Sequence, residues 1–303
     1  MLPDAAHPER GSFVRDQVAA LRELGGLEVE LYEFAPGARA LARAAGEIRR
    51  TFTGERFDVV HAHFGLSAWP ALAVRARVRA LTLHGTDLSH PRTRLATLAA
   101  LPLVDVLATV SQPLIAALPR WARERATVLP CGADLERFRP HPREEARREL
   151  ALDARAPYLL FPADPARAEK RHDRALELAR DARVELLTLG GVDPARVPLW
   201  VNAANAVVVP SEREGFGLAV IEALACDVPV VATPVGIHAE ALSGIDGALC
   251  ARYDLVRWRE ALAPHLRSQD PRIAGRERAA SYSASAMAAR VADAWRAALE
   301  RGR

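Results

Sequence analysis

The residues best placed to do chemistry lie in the run VVVPSEREGFGLAVIEALACDVPVVATP, from Val207 to Pro234. An apolar strand-like stretch ends at Pro210. Glu214-Gly215-Phe216-Gly217 follows, and a helix is predicted from Leu218. Glycine has no Cβ, so backbone can approach a ligand closely there. A helix start offers N–H groups and the positive end of the helix dipole, which suits a phosphate. Glu214 precedes the helix and Glu222 lies one turn into it, so both carboxylates can face one crevice and accept hydrogen bonds from sugar or ribose hydroxyls. The run is not a dinucleotide fingerprint, because Val220 stands where a third glycine would be, and no Gly-Lys-Ser/Thr of a P-loop occurs. On these residues alone, a capped helix with ordinary surface glutamates fits equally well.

A second signal is compositional. Lys170 is the only lysine among 41 basic residues. A compact ammonium on a flexible stem differs chemically from a planar guanidinium fork, so a lone lysine in an arginine background marks either a site that needs it or a chance survivor. His61 and His63 share one strand face as possible metal ligands, but no third ligand is evident. Asp87 either lines a cleft or caps the next helix. Trp121, Trp258 and Trp295 read as packing residues, and Cys131 and Cys226 as buried small residues.

The elements that must position these residues alternate throughout. Helices are predicted over 13–24, 38–50, 68–77, 92–100 and 112–119, and strands over 27–33, 57–62, 80–84, 104–110 and 126–129. The pattern continues with strands at 158–162, 184–189, 206–209, 228–232 and 247–250. Helices lie at 171–181, 196–204, 218–226, 237–242, 254–267 and 284–301. Such alternation implies parallel sheets with helices on both faces, an α/β doubly wound architecture. Ligands in these sheets bind beyond the carboxyl ends of the strands. The prolines of RFRPHP, 137–142, mark a domain boundary. One feature conflicts with the scheme. A doubly wound domain opens on a strand, yet only a polar leader, residues 2–11, precedes the first helix. A missing central strand would leave backbone groups unpaired, so the expectation is that the true start lies upstream.

Composition bounds the class. The chain has 303 residues, half of them hydrophobic, which suits two globular domains. No apolar run reaches membrane-spanning length, and the start lacks the pattern of a signal peptide. Three widely spaced cysteines argue against a disulfide framework, so a cytoplasmic setting is expected. The net charge of +3 sits entirely in residues 1–140, which leaves peripheral contact with an anionic inner membrane face open. No dense basic stripe points to nucleic acid.

The segment around Glu214 and Glu222, PSEREGFGLAVIEALACDVPVVATPVG, resembles the signature of family-4 glycosyltransferases of the GT-B fold. So do GSFVRDQVAALREL (11–24), FDVVHAHFG (57–65), LTLHGTDL (81–88), VLPCGADLERFRP (128–140), FPADPARAEKR (161–171) and VPLWVNAANAVVVPS (197–211). The resemblance implies two facing domains with a cleft between them. Residues 1–139 would bind the acceptor, 140–283 the nucleotide-sugar donor, and the helix in 284–303 would cross back to the first domain. It implies retaining transfer from a nucleotide-diphosphate sugar to a glycan, glycolipid or small-molecule acceptor, with no cofactor or metal. The absence of Asp-X-Asp agrees with that.

Residue by residue, the resemblance implies that Glu214 touches the donor sugar and Glu222 the ribose. Backbone N–H groups of Gly215, Phe216, Gly217 and Leu218 would hold sugar and diphosphate, Lys170 would neutralise the leaving group, Gly11 would let the first loop near the phosphate, and His84 would sit beside the reacting carbon. The family's arginine five residues before the lysine is Pro165 here, and Arg167 is the candidate replacement. Two alternatives share the fold: another GT-B enzyme such as an epimerase, and an inactive truncated scaffold.

Overall fold

The computed structural model describes residues 11–35 and 37–302. The polar leader before Gly11 lies outside the described residues. The chain divides into two compact units, one made of 11–132 with 284–302, the other of 133–283.

The first unit is built on four parallel strands in the order β1 (Phe57–His63), β2 (Ala76–Leu83), β3 (Val106–Thr109) and β4 (Ala126–Val128). On one face Leu81, Leu83, Leu101, Leu107 and Leu118 form a buried cluster. On the other, the Ser12–Leu24 helix contributes Ala20 and Leu21 while the Ala284–Arg301 helix contributes Met287, Ala288, Val291 and Ala292. Spacings of one and four residues put those side chains on one helical stripe, which is what pins each helix to the sheet.

Two expectations fail in this unit. Residues 27–33 are not a strand but carry no regular secondary structure. The alternation of Leu27, Val29 and Leu31 with Glu28 and Glu30 is strand-like, but a strand requires a hydrogen-bonded neighbour. Among the described residues nothing pairs with the outer edge of β1, and a cavity of about 1070 Å³ is lined by segment 26–34 and by residues 55–64. The helix predicted over 68–77 is helical only at Ala68–Ala71. From there Arg75, Arg77 and Arg79 alternate with Ala76, Val78 and Ala80, and that period of two starts β2 early.

The second unit carries five parallel strands in the order β6 (Glu185–Thr188), β5 (Tyr158–Phe161), β7 (Ala206–Val209), β8 (Val230–Ala232) and β9 (Leu249–Cys250). Every residue of β5, β7 and β8 is buried, as expected of inner strands covered on both faces. Phe161, Leu178, Val208, Trp258 and Leu262 form its core beneath the His172–Ala182 and Leu255–Arg267 helices. Asn205 is buried and spends its whole amide. Its Oδ1 accepts from Tyr158 N (3.0 Å) and Arg147 Nη2 (2.8 Å), and its Nδ2 donates to the carbonyls of His265 (3.1 Å) and Ser268 (3.0 Å).

The chemistry-bearing extras sort differently from the sequence reading. Trp258 is fully buried, but Trp121 is half exposed, because its short Arg120–Arg123 helix turns only Ala122 inward. Cys226 is buried, whereas Cys131 is partly exposed. No helix among the described residues is long and apolar enough to cross a membrane.

Candidate functional site

In the second unit the loop after β7 and the turn before the His172–Ala182 helix are tied together. Glu212 N donates to the Glu169 carbonyl at 2.9 Å. That link sets Lys170 opposite Glu214. Lys170 Nζ lies 2.7 Å from Glu214 Oε1 and 2.8 Å from Oε2, with side-chain exposures of only 15% and 10%. So little solvent contact leaves the attraction weakly screened. Ser211 Oγ also donates to Glu214 Oε1 at 2.8 Å, and Thr233 Oγ1 donates to the Ser211 carbonyl at 2.6 Å. The carboxylate is therefore held from two sides.

Glu214 leads directly into the Leu218–Ala225 helix. Gly217 caps that helix with φ 112°, a conformation that L side chains rarely adopt. Phe216 is buried against Tyr282, and its carbonyl accepts from Ile237 N at 2.9 Å, so the loop cannot drift from the helix start. Gly215 and Leu218 flank this turn, and Glu222 stands partly buried one turn into the helix. An ammonium, two glycines and a helix amino end at one strand–helix junction form an anion-binding arrangement. Arg167 does not join it here. Its guanidinium donates to Glu169 Oε1 at 3.0 and 2.8 Å, and the side chain is half exposed.

In the first unit the polar residues at the ends of β1 and β2 are histidines. His63 Nδ1 lies 3.1 Å from His84 Nε2, and Gln17 Nε2 lies 3.2 Å from His63 Nε2. The His61 and His63 rings stack at 4.7 Å. Trp295 Nε1 donates to His61 Nδ1 at 3.1 Å, so the His61 proton sits on Nε2, 2.8 Å from Thr82 Oγ1. Burial holds all three imidazoles neutral. It pushes His61 and His84 well below the usual histidine range and His63 down to about 4. The His84 ring lies 4.7 Å from Phe13 and 4.6 Å from Phe64. Gly11 caps the Ser12–Leu24 helix in the left-handed region, φ 73°.

Asp87 does not cap the next helix, Pro91–Ala100, which has no side-chain cap. Its Oδ2 accepts from His84 N at 2.6 Å and its Oδ1 from Gly65 N at 2.9 Å, stapling the loops after β1 and β2. Burial raises the Asp87 pKa against those hydrogen bonds. The histidines are engaged with one another and with Gln17, Thr82 and Trp295. Among the described residues no group of three or more His, Cys, Asp or Glu side chains could hold a metal ion.

Sequence reasoning missed Gln17, Ser211, Thr233 and His238. Gln17 and Thr233 act through partners distant in sequence, and Ser211 and His238 lie near their partners but carry no motif that announces the contact.

Comparison with known proteins bears on this arrangement. Residues 162–268 match the family described as glycosyl transferases group 1, and residues 6–137 match glycosyltransferase family 4. A D-inositol 3-phosphate glycosyltransferase of Thermobispora bispora is 32% identical over 310 residues, covering 81% of this chain and 72% of that protein. The one from Actinosynnema mirum is 33% identical over 334 residues, covering 88% and 78%. Among solved structures, sucrose-phosphate synthase from Thermosynechococcus elongatus superposes with TM-score 0.72 at 20% identity, covering 96% of this chain and 93% of that one. Anabaena HepE superposes with TM-score 0.66 at 16% identity, covering 95% and 96%. The two parallel-sheet units are those of the GT-B fold.

Proposed function

The chain belongs to the family-4 glycosyltransferases, and from that premise we propose that it moves a sugar from a nucleotide-diphosphate sugar to a hydroxyl acceptor with retention of anomeric configuration. The observation that carries the donor reading is the Lys170–Glu214 pair at the amino end of the Leu218–Ala225 helix. Departure of a nucleoside diphosphate builds negative charge on its phosphates. An ammonium and a helix amino end already in place stabilise that charge without reorganising. Lys170 then leaves Glu214 for the diphosphate, and Glu214 becomes an acceptor for the hydroxyls of the transferring sugar. Glu222 binds the ribose, and the backbone of 215–218 supports sugar and phosphate.

His84 is the first unit's contribution. Neutral, with its ring gripped by Phe13, Phe64 and His63, it offers a hydrogen bond beside the reacting carbon without adding a cation to an oxocarbenium-like centre. No step needs a cofactor. Inositol phosphates head the acceptors to test because the relatives named above carry that substrate in their names. Glycans and glycolipids follow. Reduced cysteines fit work in the cytoplasm, where nucleotide sugars are made.

The test is a transfer assay with a panel of nucleotide sugars and D-inositol 3-phosphate, with products read by anomeric proton couplings. One donor should be consumed with its configuration kept, and Lys170→Ala and Glu214→Ala should each suppress it. An inverted product, or undiminished transfer in either variant, overturns the reading.

A further inference from the structure

Beneath the proposed donor site lies a histidine that none of this chemistry uses. His238 is fully buried. Its Nδ1 stands 2.8 Å from the Thr233 carbonyl, which only accepts, so Nδ1 carries the proton and Nε2 is a bare lone pair. That Nε2 is buried without a hydrogen-bond partner. A buried polar atom left unpaired is costly, so its retention calls for a reason.

The ring edge lies directly against the cap of the Leu218–Ala225 helix. A Cβ on Gly217 would stand 2.4 Å from His238 Nε2 and 2.5 Å from its Cδ2. Loop 234–238 is fastened under loop 214–217 by the bond from Ile237 N to the Phe216 carbonyl. It is fastened too by Gly236, where a Cβ would meet that carbonyl at 2.1 Å and Glu214 Cβ at 3.0 Å. The position is thus built rather than incidental.

We propose that His238 is a proton-coupled floor to the donor site: when a diphosphate settles at the amino end of the Leu218–Ala225 helix, Nε2 takes up a proton from solvent and the imidazolium helps to hold the anion. This rests on the donor reading of that junction. One N–H bond forms at the Nε2 lone pair, the proton comes from the bulk, and no other bond changes.

The protein groups around the ring oppose that proton. Burial disfavours the charged ring most, and Lys170 adds a like charge. Glu214 and the Thr233 carbonyl pull the other way. The helix amino end is a further positive partial charge close by. A doubly negative diphosphate reverses the balance. It draws Lys170 to itself and places charge over the ring, so binding and protonation favour each other, as linkage demands.

Calorimetry of the full chain with UDP-glucose, GDP-mannose and ADP-glucose, at pH 6, 7 and 8 in pairs of buffers of different ionisation enthalpy, tests this. A nucleotide sugar is the right probe because both ends of its diphosphate are esterified and hold their charge over this range. Binding should tighten by about threefold from pH 8 to pH 6, within the roughly tenfold ceiling that one unit of pKa coupling sets, with net proton uptake. His238→Asn keeps an N–H toward the Thr233 carbonyl but has no Nε2. It should still bind, with pH dependence and proton uptake gone. Should the variant not fold, ring nitrogen signals of labelled His238 in the wild type give the same answer, moving from neutral to imidazolium on saturation. Binding without proton uptake, or uptake undiminished in His238→Asn, overturns this proposal alone. No binding of any of the three nucleotide sugars overturns the donor reading beneath it.

Discussion

The two units gather polar residues at their strand ends by opposite means. The second unit sets an ammonium against a carboxylate, Lys170 with Glu214, and anchors the carboxylate through Ser211. The first sets histidines against one another and keeps them uncharged by burial. Under the proposed function, the ion pair of the second unit suits a departing diphosphate, and the uncharged histidines of the first suit a hydrogen bond beside a developing cation. Their sheets differ too. The second unit buries three full strands, whereas β1 of the first runs along a large cavity.

The largest expected effect is on the charged pair. Lys170→Ala and Glu214→Gln should each lower transfer by about 10²–10³-fold, the usual cost of removing one transition-state contact. Lys170→Arg should rescue little, because a planar fork does not reproduce a point ammonium. Steady-state rates on folded variants check this, and an arginine variant near wild type would erase the claimed chemical distinction between the sites.

Next comes stability of the second unit. Asn205→Ala removes four hydrogen bonds and strands buried partners, among them Arg147 Nη2 and Tyr158 N. The expected loss is about 2–4 kcal/mol, read by denaturant unfolding.

The histidines make the stability of the first unit sensitive to pH. His63 is depressed to about 4 from 6.5 in the folded chain, so below 6.5 the unfolded chain binds the extra proton. The stabilisation is whole above pH 6.5 and is lost as pH falls toward 4. His63 would contribute up to about 3 kcal/mol, less whatever solvent at the half-buried ring screens. His61 and His84 act in the same direction. Unfolding curves from pH 7.5 to 4.5 should show this loss, and His63→Phe should flatten part of it.

The smallest effect is local. Amides on the edge of β1 away from β2 should exchange faster than those of Leu160 in β5 or Val208 in β7. Equal protection would mean that the cavity beside β1 does not weaken the sheet.

Much of the second unit was legible in the sequence because its signals are local. Ala206–Val209 is an unbroken apolar run, and Gly217 followed by LAVIEALA announces a capped buried helix. The first unit misled where a local pattern lacked its partner. LEVELY alternates as a strand should, but alternation decides only which face is apolar, and pairing decides whether a strand exists. Glu214 and Lys170 could be named from type and position. What the sequence could not give is that they meet, across 44 residues. Asp87 was ambiguous for the same reason, since Gly65, one of its partners, lies 22 residues away. His238 carried no signal at all, because an unpaired nitrogen exists only in three dimensions.

The measurement that bears most directly on the account is a thermal shift of the full chain against UDP, GDP, ADP and their sugars, with Lys170→Ala beside it. A ligand that binds the native state raises the melting temperature by mass action. The account predicts a shift with one nucleotide family in the wild type and its loss in the variant. A shift of equal size in both proteins would contradict it, because the diphosphate would then be held elsewhere than at Lys170.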